Sequence, residues 1–170
     1  DKVYAQMINE GFYEFDGQRF HLLLERTAVG NDNVVAILPY GNSGMVLLTV
    51  DSGLFVYEHG TVSALRTDID AQLRWAKGNR AVMVGDSILA IGTILDGIYG
   101  VDKKGHLLWH LNRDNQLNNN SVMGLFGDRE NNLWAALDDG ISFVHTNTSI
   151  TLLTPSVRDL SIGMVYGVER

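Results

Sequence analysis

The chain has no cysteine and only two prolines among 170 residues. The first absence excludes disulfides, thiolate metal sites and cysteine nucleophiles. It leaves the compartment open, because many exported proteins fold without disulfides. Long apolar runs are missing too: the longest cover about five residues, against the roughly 18 that a membrane-spanning helix needs. Positive charge is in deficit, with 13 Lys+Arg against 20 Asp+Glu and a formal charge of -7. No segment concentrates the basic residues, which argues against the counterion-driven grip of a nucleic-acid binder. Asp1-Lys2-Val3 does not open a signal peptide, so the chain reads as mature, internal to a longer protein, or cytosolic. Apolar residues at 45% and charged residues at 19% are an ordinary globular mixture, and the length suits one domain.

What the chain has in quantity is glycine, 18 residues, and several of them are periodic. A glycine followed by an apolar-aromatic segment recurs as Gly11-Phe12-Tyr13-Glu14-Phe15, Gly53-Leu54-Phe55-Val56-Tyr57, Gly97-Ile98-Tyr99-Gly100-Val101 and Gly140-Ile141-Ser142-Phe143-Val144. The steps are 53−11 = 42, 97−53 = 44 and 140−97 = 43. Each glycine follows another apolar segment: Val3–Met7, Met45–Thr49, Ile88–Gly92 and Leu133–Leu137. The residues between them (Asn9-Glu10-Gly11, Asp51-Ser52-Gly53, Leu95-Asp96-Gly97, Asp138-Asp139-Gly140) include the types that tolerate the positive φ of a hairpin turn. A further turn leads to Phe20–Leu23, Val62–Leu65, Leu107–Trp109 and Ile150–Leu153. The last segment type is Val34–Leu38, Ala81–Val84, Val122–Phe126 and Met164–Val168, the final two in register at 165−122 = 43.

Four turn-separated strands in a period near 43 predict an all-β chain of β-propeller blades, each a four-stranded antiparallel sheet. A single meander cannot bury both faces, so blade must pack on blade. The repeat divides one propeller segment, 1–170, into units of about 1–33 (entering at a second strand), 34–80, 81–121, 122–163 and 164–170, the first strand of a next blade. Each strand type occurs four times, which permits a closed four-bladed ring or part of a larger one. In the part-ring case the remaining blades or a second copy must cover the open faces. One insertion breaks the rhythm: Asp70–Gly78 has an N-cap candidate, a helix-favouring interior and a terminal glycine, and is predicted to be a helical turn.

The most diagnostic stretch is Leu117–Ile141, with Asn118-Asn119-Asn120-Ser121-Val122, then Asp128-Arg129-Glu130-Asn131-Asn132-Leu133-Trp134, then Asp138-Asp139-Gly140-Ile141. It resembles the repeat of the two-component regulator propellers: an asparagine lead-in, a Ser-Val strand, an Asp-x-x-Gly-Asn-Leu-Trp hairpin and a Thr-x-x-Gly-Leu turn. Asn131 stands where that repeat has Gly, and Leu137 where it has Thr. The resemblance implies part of a larger, seven-bladed type of propeller, in the periplasmic sensor region of a Bacteroidetes-type hybrid sensor histidine kinase. Such regions commonly hold two seven-bladed rings followed by a β-sandwich, a membrane helix and kinase modules, and sense glycan fragments. It further implies that membrane attachment lies in segments outside this chain, and that none of the kinase's phosphorylated residues lie within it.

Little in the chain points to catalysis. The acids Asp51, Asp96, Asp138 and Asp139 fall at repeated turn positions, and no second, non-turn acid is paired with them as glycoside hydrolysis requires. Asp128–Asn132 alternates oxygen ligands but lacks the central glycine and distant glutamate of a calcium loop, and reads as a hairpin. The five histidines have no ligand spacing, and His106 and His110 would stand about 13 Å apart along a strand. No cofactor or metal site is expected. Trp109 reads as a blade-packing residue. The candidates for ligand contact are residues that break the repeat: Arg74 and Trp75 in the insertion, and Asn118 and Asn120 in the asparagine-rich loop. An aromatic face beside a donor is what sugar rings engage, whereas the competing role for Trp75 is to cap the local core. The leading expectation is a non-catalytic sensor segment that binds or relays an oligo- or polysaccharide fragment. A propeller glycosidase or lyase and a lectin-like or protein-interaction propeller are the rivals.

Overall fold

The computed structural model describes residues 3–146 apart from Ile8 and Asn42. Within them the chain forms four antiparallel sheets in sequence order. The first has β1 (Val3–Met7), β2 (Gly11–Phe15) and β3 (Phe20–Glu25). The second has β4 (Val34–Tyr40), β5 (Gly44–Thr49), β6 (Leu54–Glu58) and β7 (Thr61–Leu65). The third has β8 (Gly78–Val84), β9 (Ile88–Thr93), β10 (Ile98–Asp102) and β11 (Leu107–Leu111). The last has β12 (Val122–Gly127), β13 (Leu133–Leu137) and β14 (Ile141–Val144). Every strand pairs with its chain neighbour, so each sheet is a simple meander, as the repeat requires. The segments Ile150–Leu153 and Met164–Val168, expected as strands, lie outside the described residues.

Turn chemistry sets the register. Gly53, Gly97 and Gly140 have φ of 90°, 72° and 88°, values that cost a side-chain-bearing residue strain. In the first sheet the periodic glycine does another job. Asn9 takes the left-handed turn at φ 69°, while a side chain on Gly11 would run into the Leu24 carbonyl of β3. Two of the turns carry a threonine clasp. The hydroxyls of Thr49 and Thr93 donate to the carbonyls of Gly53 and Gly97 at 2.9 and 3.0 Å, and accept the N–H groups of Ser52 and Asp96. Leu137 stands at the matching place in the last sheet, where only the backbone bond to Gly140 closes the turn.

The core lies between sheets. Val46, Leu48, Leu54 and Val56 of the second sheet meet Leu89, Ile91, Tyr99 and Val101 of the third. Ala90 and Ile98 of the third meet Val122, Leu133, Ala135 and Leu137 of the last. Phe12 and Leu24 of the first sheet meet Leu47 of the second, with Val29 from the intervening loop. Trp109 packs into the junction of third and last sheets, its ring over Gly100, where any side chain would collide with it.

The inserted segment forms α1 (Asp70–Ala76), with Leu73 and the preceding Ile69 buried in the junction of second and third sheets. Its ends differ from the sequence reading. Asp70 is the first helical residue rather than the cap, and its carboxylate reaches back to the N–H and hydroxyl of Thr67 at 2.9 and 2.7 Å. Lys77, at φ 63°, makes the terminating bend in place of glycine. Gly78 opens β8 and is glycine for a different reason: a Cβ there would stand 2.7 Å from the Thr49 carbonyl oxygen and 3.0 Å from Leu48 Cδ1.

Gly78→Ala therefore forces the second and third sheets apart and is expected to lower stability by about 1–3 kcal/mol in urea unfolding. A variant as stable as the parent would show that the junction is looser than described.

Candidate functional site

In a meander blade, the loop entering the first strand and the turn between the second and third strands emerge at the same end of the sheet. Here those segments are bonded to one another along the row of sheets. Asp32, ahead of β4, accepts the N–H groups of Asp51 and Ser52 in the β5–β6 turn, both at 2.6 Å. The Ala76 carbonyl, at the end of α1, accepts the N–H groups of Ile94 and Leu95 in the β9–β10 turn at 3.1 and 3.0 Å. Asn120 and Ser121, ahead of β12, accept those of Gly97 and Asp138 at 2.9 Å each. Lys77 Nζ reaches Asp51 at 2.5 Å. One continuous loop surface results.

The four sequence candidates fall on this surface, on either side of the Ile94–Gly97 turn. Arg74 and Trp75 precede the Ala76 carbonyl that holds one side of the turn; Asn120 holds the other. Trp75 is 53% exposed, so it does not cap the local core, which Leu73 and Ala76 fill instead. Arg74 is exposed beside it. Asn120 is committed to the loop, whereas Asn118 is exposed. Asn120 Oδ1 accepts the Arg113 N–H at 2.7 Å, and Asn118 Nδ2 lies 3.7 Å from the position a Cβ on Gly140 would take. Asn115 and Asn119 likewise bond backbone within the loop. The geometry thus leaves Arg74, Trp75 and Asn118 exposed and commits Asn120 to the loop.

Sequence reasoning missed the residues around the turn. Ile94 and Leu95 are exposed on it, adding apolar surface next to the α1 terminus. Below them Asp96 is a hub. Its carboxylate accepts Tyr99 OH and Asn112 Nδ2, the latter at 3.0 Å, and its backbone carbonyl accepts His110 Nε2 at 2.8 Å. A carbonyl can only accept, so His110 carries a proton on Nε2. The His110 ring stacks on Tyr99 at 4.1 Å with 2° between planes. Burial, then the Asp96 carboxylate, push the Tyr99 hydroxyl well above its ordinary pKa, keeping it a donor. The sequence trace of this hub is an acid one place before the periodic glycine, where Glu10 and Asp139 stand in the first and last repeats and Ser52 in the second.

Other acids are turn braces. Asp128 accepts the N–H groups of Asn132 and Glu130 at 2.8 and 2.9 Å and Trp134 Nε1 at 3.2 Å, with Asn131 left-handed at φ 63°, as expected of a hairpin. Among the described residues no cluster of His, Asp and Glu is arranged to hold a metal ion. A cleft of about 1020 Å³ lies away from the four candidates. It is lined by Tyr4, Phe12 and Glu14 on one side and by β4 and Tyr57 on the other, along the β1 edge, which has no partner strand among the described residues. The other sheets have an inner strand at that edge, so the cleft has the place and form of a strand slot.

This architecture, antiparallel meanders stacked face to face, is that of β-propeller blades. No family model matches the chain, and no curated protein does. Solved structures do. Two are structures of the extracellular domain of BT4673 from B. thetaiotaomicron, described in one case as a candidate one-component and in the other as a candidate hybrid two-component system. They are 19% and 18% identical, with TM-scores of 0.63 and 0.62, over 79% of this chain and 18% of those. A third, the extracellular domain of BT3049 from the same organism, aligns at 16% identity and TM-score 0.44 over 84% of this chain and 25% of that one. The chain therefore shares its fold with part of the BT4673 domain and spans less than a fifth of the length of those two structures.

Acid should loosen the carboxylate-braced turns and loops. Burial works against the charge on Asp32, but the N–H groups of Asp51, Asn33 and Ser52 outweigh it and hold the carboxyl below its usual range. Asp16, bonded by the Arg19 N–H and then by His21 and the Gln18 N–H, is held at about 2. A carboxyl with a lowered folded pKa contributes stability above its unfolded value, near pH 4, and loses it as pH falls through the folded value. The melting temperature is expected to be level from about pH 7 to 5 and to drop below about pH 4. Asp32→Asn should melt lower at neutral pH and show a shallower acid decline; an unchanged acid profile would remove Asp32 from this role.

Proposed function

We propose that the chain is part of the extracytoplasmic, periplasmic sensor region of a hybrid two-component sensor histidine kinase, and that it binds or relays a carbohydrate fragment without catalysing its turnover. The shared fold with extracellular domains of candidate two-component systems supports the sensor reading. So does the resemblance of Leu117–Ile141 to the two-component regulator repeat. Among the described residues no helix is long and apolar enough to cross a membrane, so in this reading the anchor belongs to other parts of the parent protein.

The observation that carries the ligand site is Trp75. It is exposed on α1, where the equivalent connection after the first sheet has only a four-residue 3-10 turn, Arg26–Val29, with Arg74 next to it and a turn-braced surface around it. The indole face offers CH–π contact to a sugar ring, and the guanidinium offers hydrogen bonds to its hydroxyls. A ligand there could signal only through different affinities for two arrangements of the sensor. The Ile94–Gly97 turn gives it a mechanical route, since it is tied to α1 on one side and to the asparagine loop on the other. The exposed Ile94 and Leu95 favour a second reading, a protein-docking surface in which apolar contact replaces sugar hydroxyls.

Calorimetry against a panel of neutral oligosaccharides discriminates the two. The sensor reading expects one class to bind, and Trp75→Ala to weaken it by about tenfold or more with unchanged circular dichroism. Equal affinities would take Trp75 out of the site. No sugar binding, together with loss of protein-partner capture in Leu95→Asp, would favour docking.

A further inference from the structure

A buried donor with no protein partner lies in the connection between the first two sheets. Arg26 opens the 3-10 turn there. Its Nη1 donates to Asn9 Oδ1 at 3.1 Å, which steadies the left-handed β1–β2 turn. Its Nε is buried and has no hydrogen-bond partner among the described residues. Buried N–H groups in folded proteins are nearly always paired, either with protein or with ordered water.

Arg26 lines a small cavity of about 10 Å³ together with Phe12, Leu24, Val29, Gln6 and Asp32. Phe12, Leu24 and Val29 are buried and supply apolar walls. Gln6 and Asp32 supply acceptors. A carboxylate offers about four acceptor positions. Three are filled on Asp32, two on Oδ2 by the N–H groups of Asp51 and Ser52 and one on Oδ1 by that of Asn33. One position on Oδ1 is left over. Gln6 Oε1 accepts the Val34 N–H at 2.8 Å and keeps a second lone pair. Arg26 and Asp32 thus share one cavity without a direct bond between Nε and the carboxylate.

We infer that this cavity is the site of a single buried water, which accepts Arg26 Nε–H and donates to Asp32 Oδ1 and Gln6 Oε1. Size and charge both select water. The space matches the roughly 10–15 Å³ that one water needs, and three polar partners are the usual complement of a buried one. A free anion would be repelled by Asp32 and a cation by Arg26, whereas a neutral dipole suits both. The site has a structural consequence. Arg26 holds the β1–β2 turn of the first sheet, and Asp32 holds the β5–β6 turn of the second. The bridge joins the two, and so extends to the first sheet the cross-sheet bonding that braces the loop surface. A bond through water is nearly as favourable in enthalpy as a direct one.

Water-contact NMR on the full, unaltered chain tests the inference. Arg26 Hε is expected to exchange slowly with solvent and to show a cross-peak to water whose NOE and ROE have opposite signs, the mark of a long-lived water. Arg26→Lys keeps the charge but lacks Nε, so it should delete that peak and thereby assign it. A high-resolution crystal structure of the same chain should place a water within about 3.2 Å of both Nε and an Asp32 carboxylate oxygen. The crystallographic reading needs no variant, which keeps the test decisive if Arg26→Lys folds poorly. A slowly exchanging Hε with no water cross-peak would mean a dry cavity and would overturn the inference. Direct contact of Nε with a carboxylate in the crystal, or Hε exchange as fast as that of a surface guanidinium, would overturn it as well.

Discussion

The structure rests on the contact between the first strand of one sheet and the second strand of the sheet before it. A four-stranded meander has two faces and can bury neither by itself, so each sheet is stable only through its neighbours. Leu48 fits over Gly78, and Val122 fits over Gly92, with no room for an added methyl group at either glycine. Interiors are packed too densely to absorb such a group without displacement. The spacing and angle between sheets therefore follow from a few residues of opposite size. Everything farther out, including the loop surface, is carried on that row.

Because the row is fixed, loops from different repeats meet at one end in a constant arrangement. Carboxylates there satisfy backbone N–H groups across sheet boundaries, as Asp32 does for Asp51 and Ser52. The Ile94–Gly97 turn is held by backbone bonds on both sides and by the Asp96 hub beneath. Most polar side chains near it are spent on the fold. Exposed beside it are Trp75, Ile94 and Leu95, with Arg74 and Asn118 alongside. An end surface of this kind is rigid enough to present a few contact residues reproducibly.

Strand order, sheet pairing and turn positions were legible in the sequence because turns need glycine, asparagine or aspartate and strands need alternating bulk. Both signals recur four times. The helical insertion was legible for the same reason, as an interruption of a regular pattern. Its exact ends were not: Lys77 holds a left-handed bend that composition favours for Gly78, and Gly78 is glycine because of Leu48 and Thr49 in another sheet. Long-range packing leaves no local trace. The site shows the same division. The exposure of Trp75 could not be read from its neighbours, since a core role and a surface role suit the same helix. The Asp96 hub joins residues from β10, β11 and the following loop, and only the folded chain brings them together.

Amide hydrogen exchange on the intact chain tests the central claim, that sheets are stabilised by being sandwiched between neighbours. The second strands β5 and β9 are paired on both edges and buried against adjacent sheets, while β7 and β11 each have a single partner strand. The account expects β5 and β9 to exchange slowest, near the rate of global unfolding, and β7 and β11 much faster by local opening. Protection of β7 and β11 equal to that of β9, or fastest exchange in β9, would contradict it.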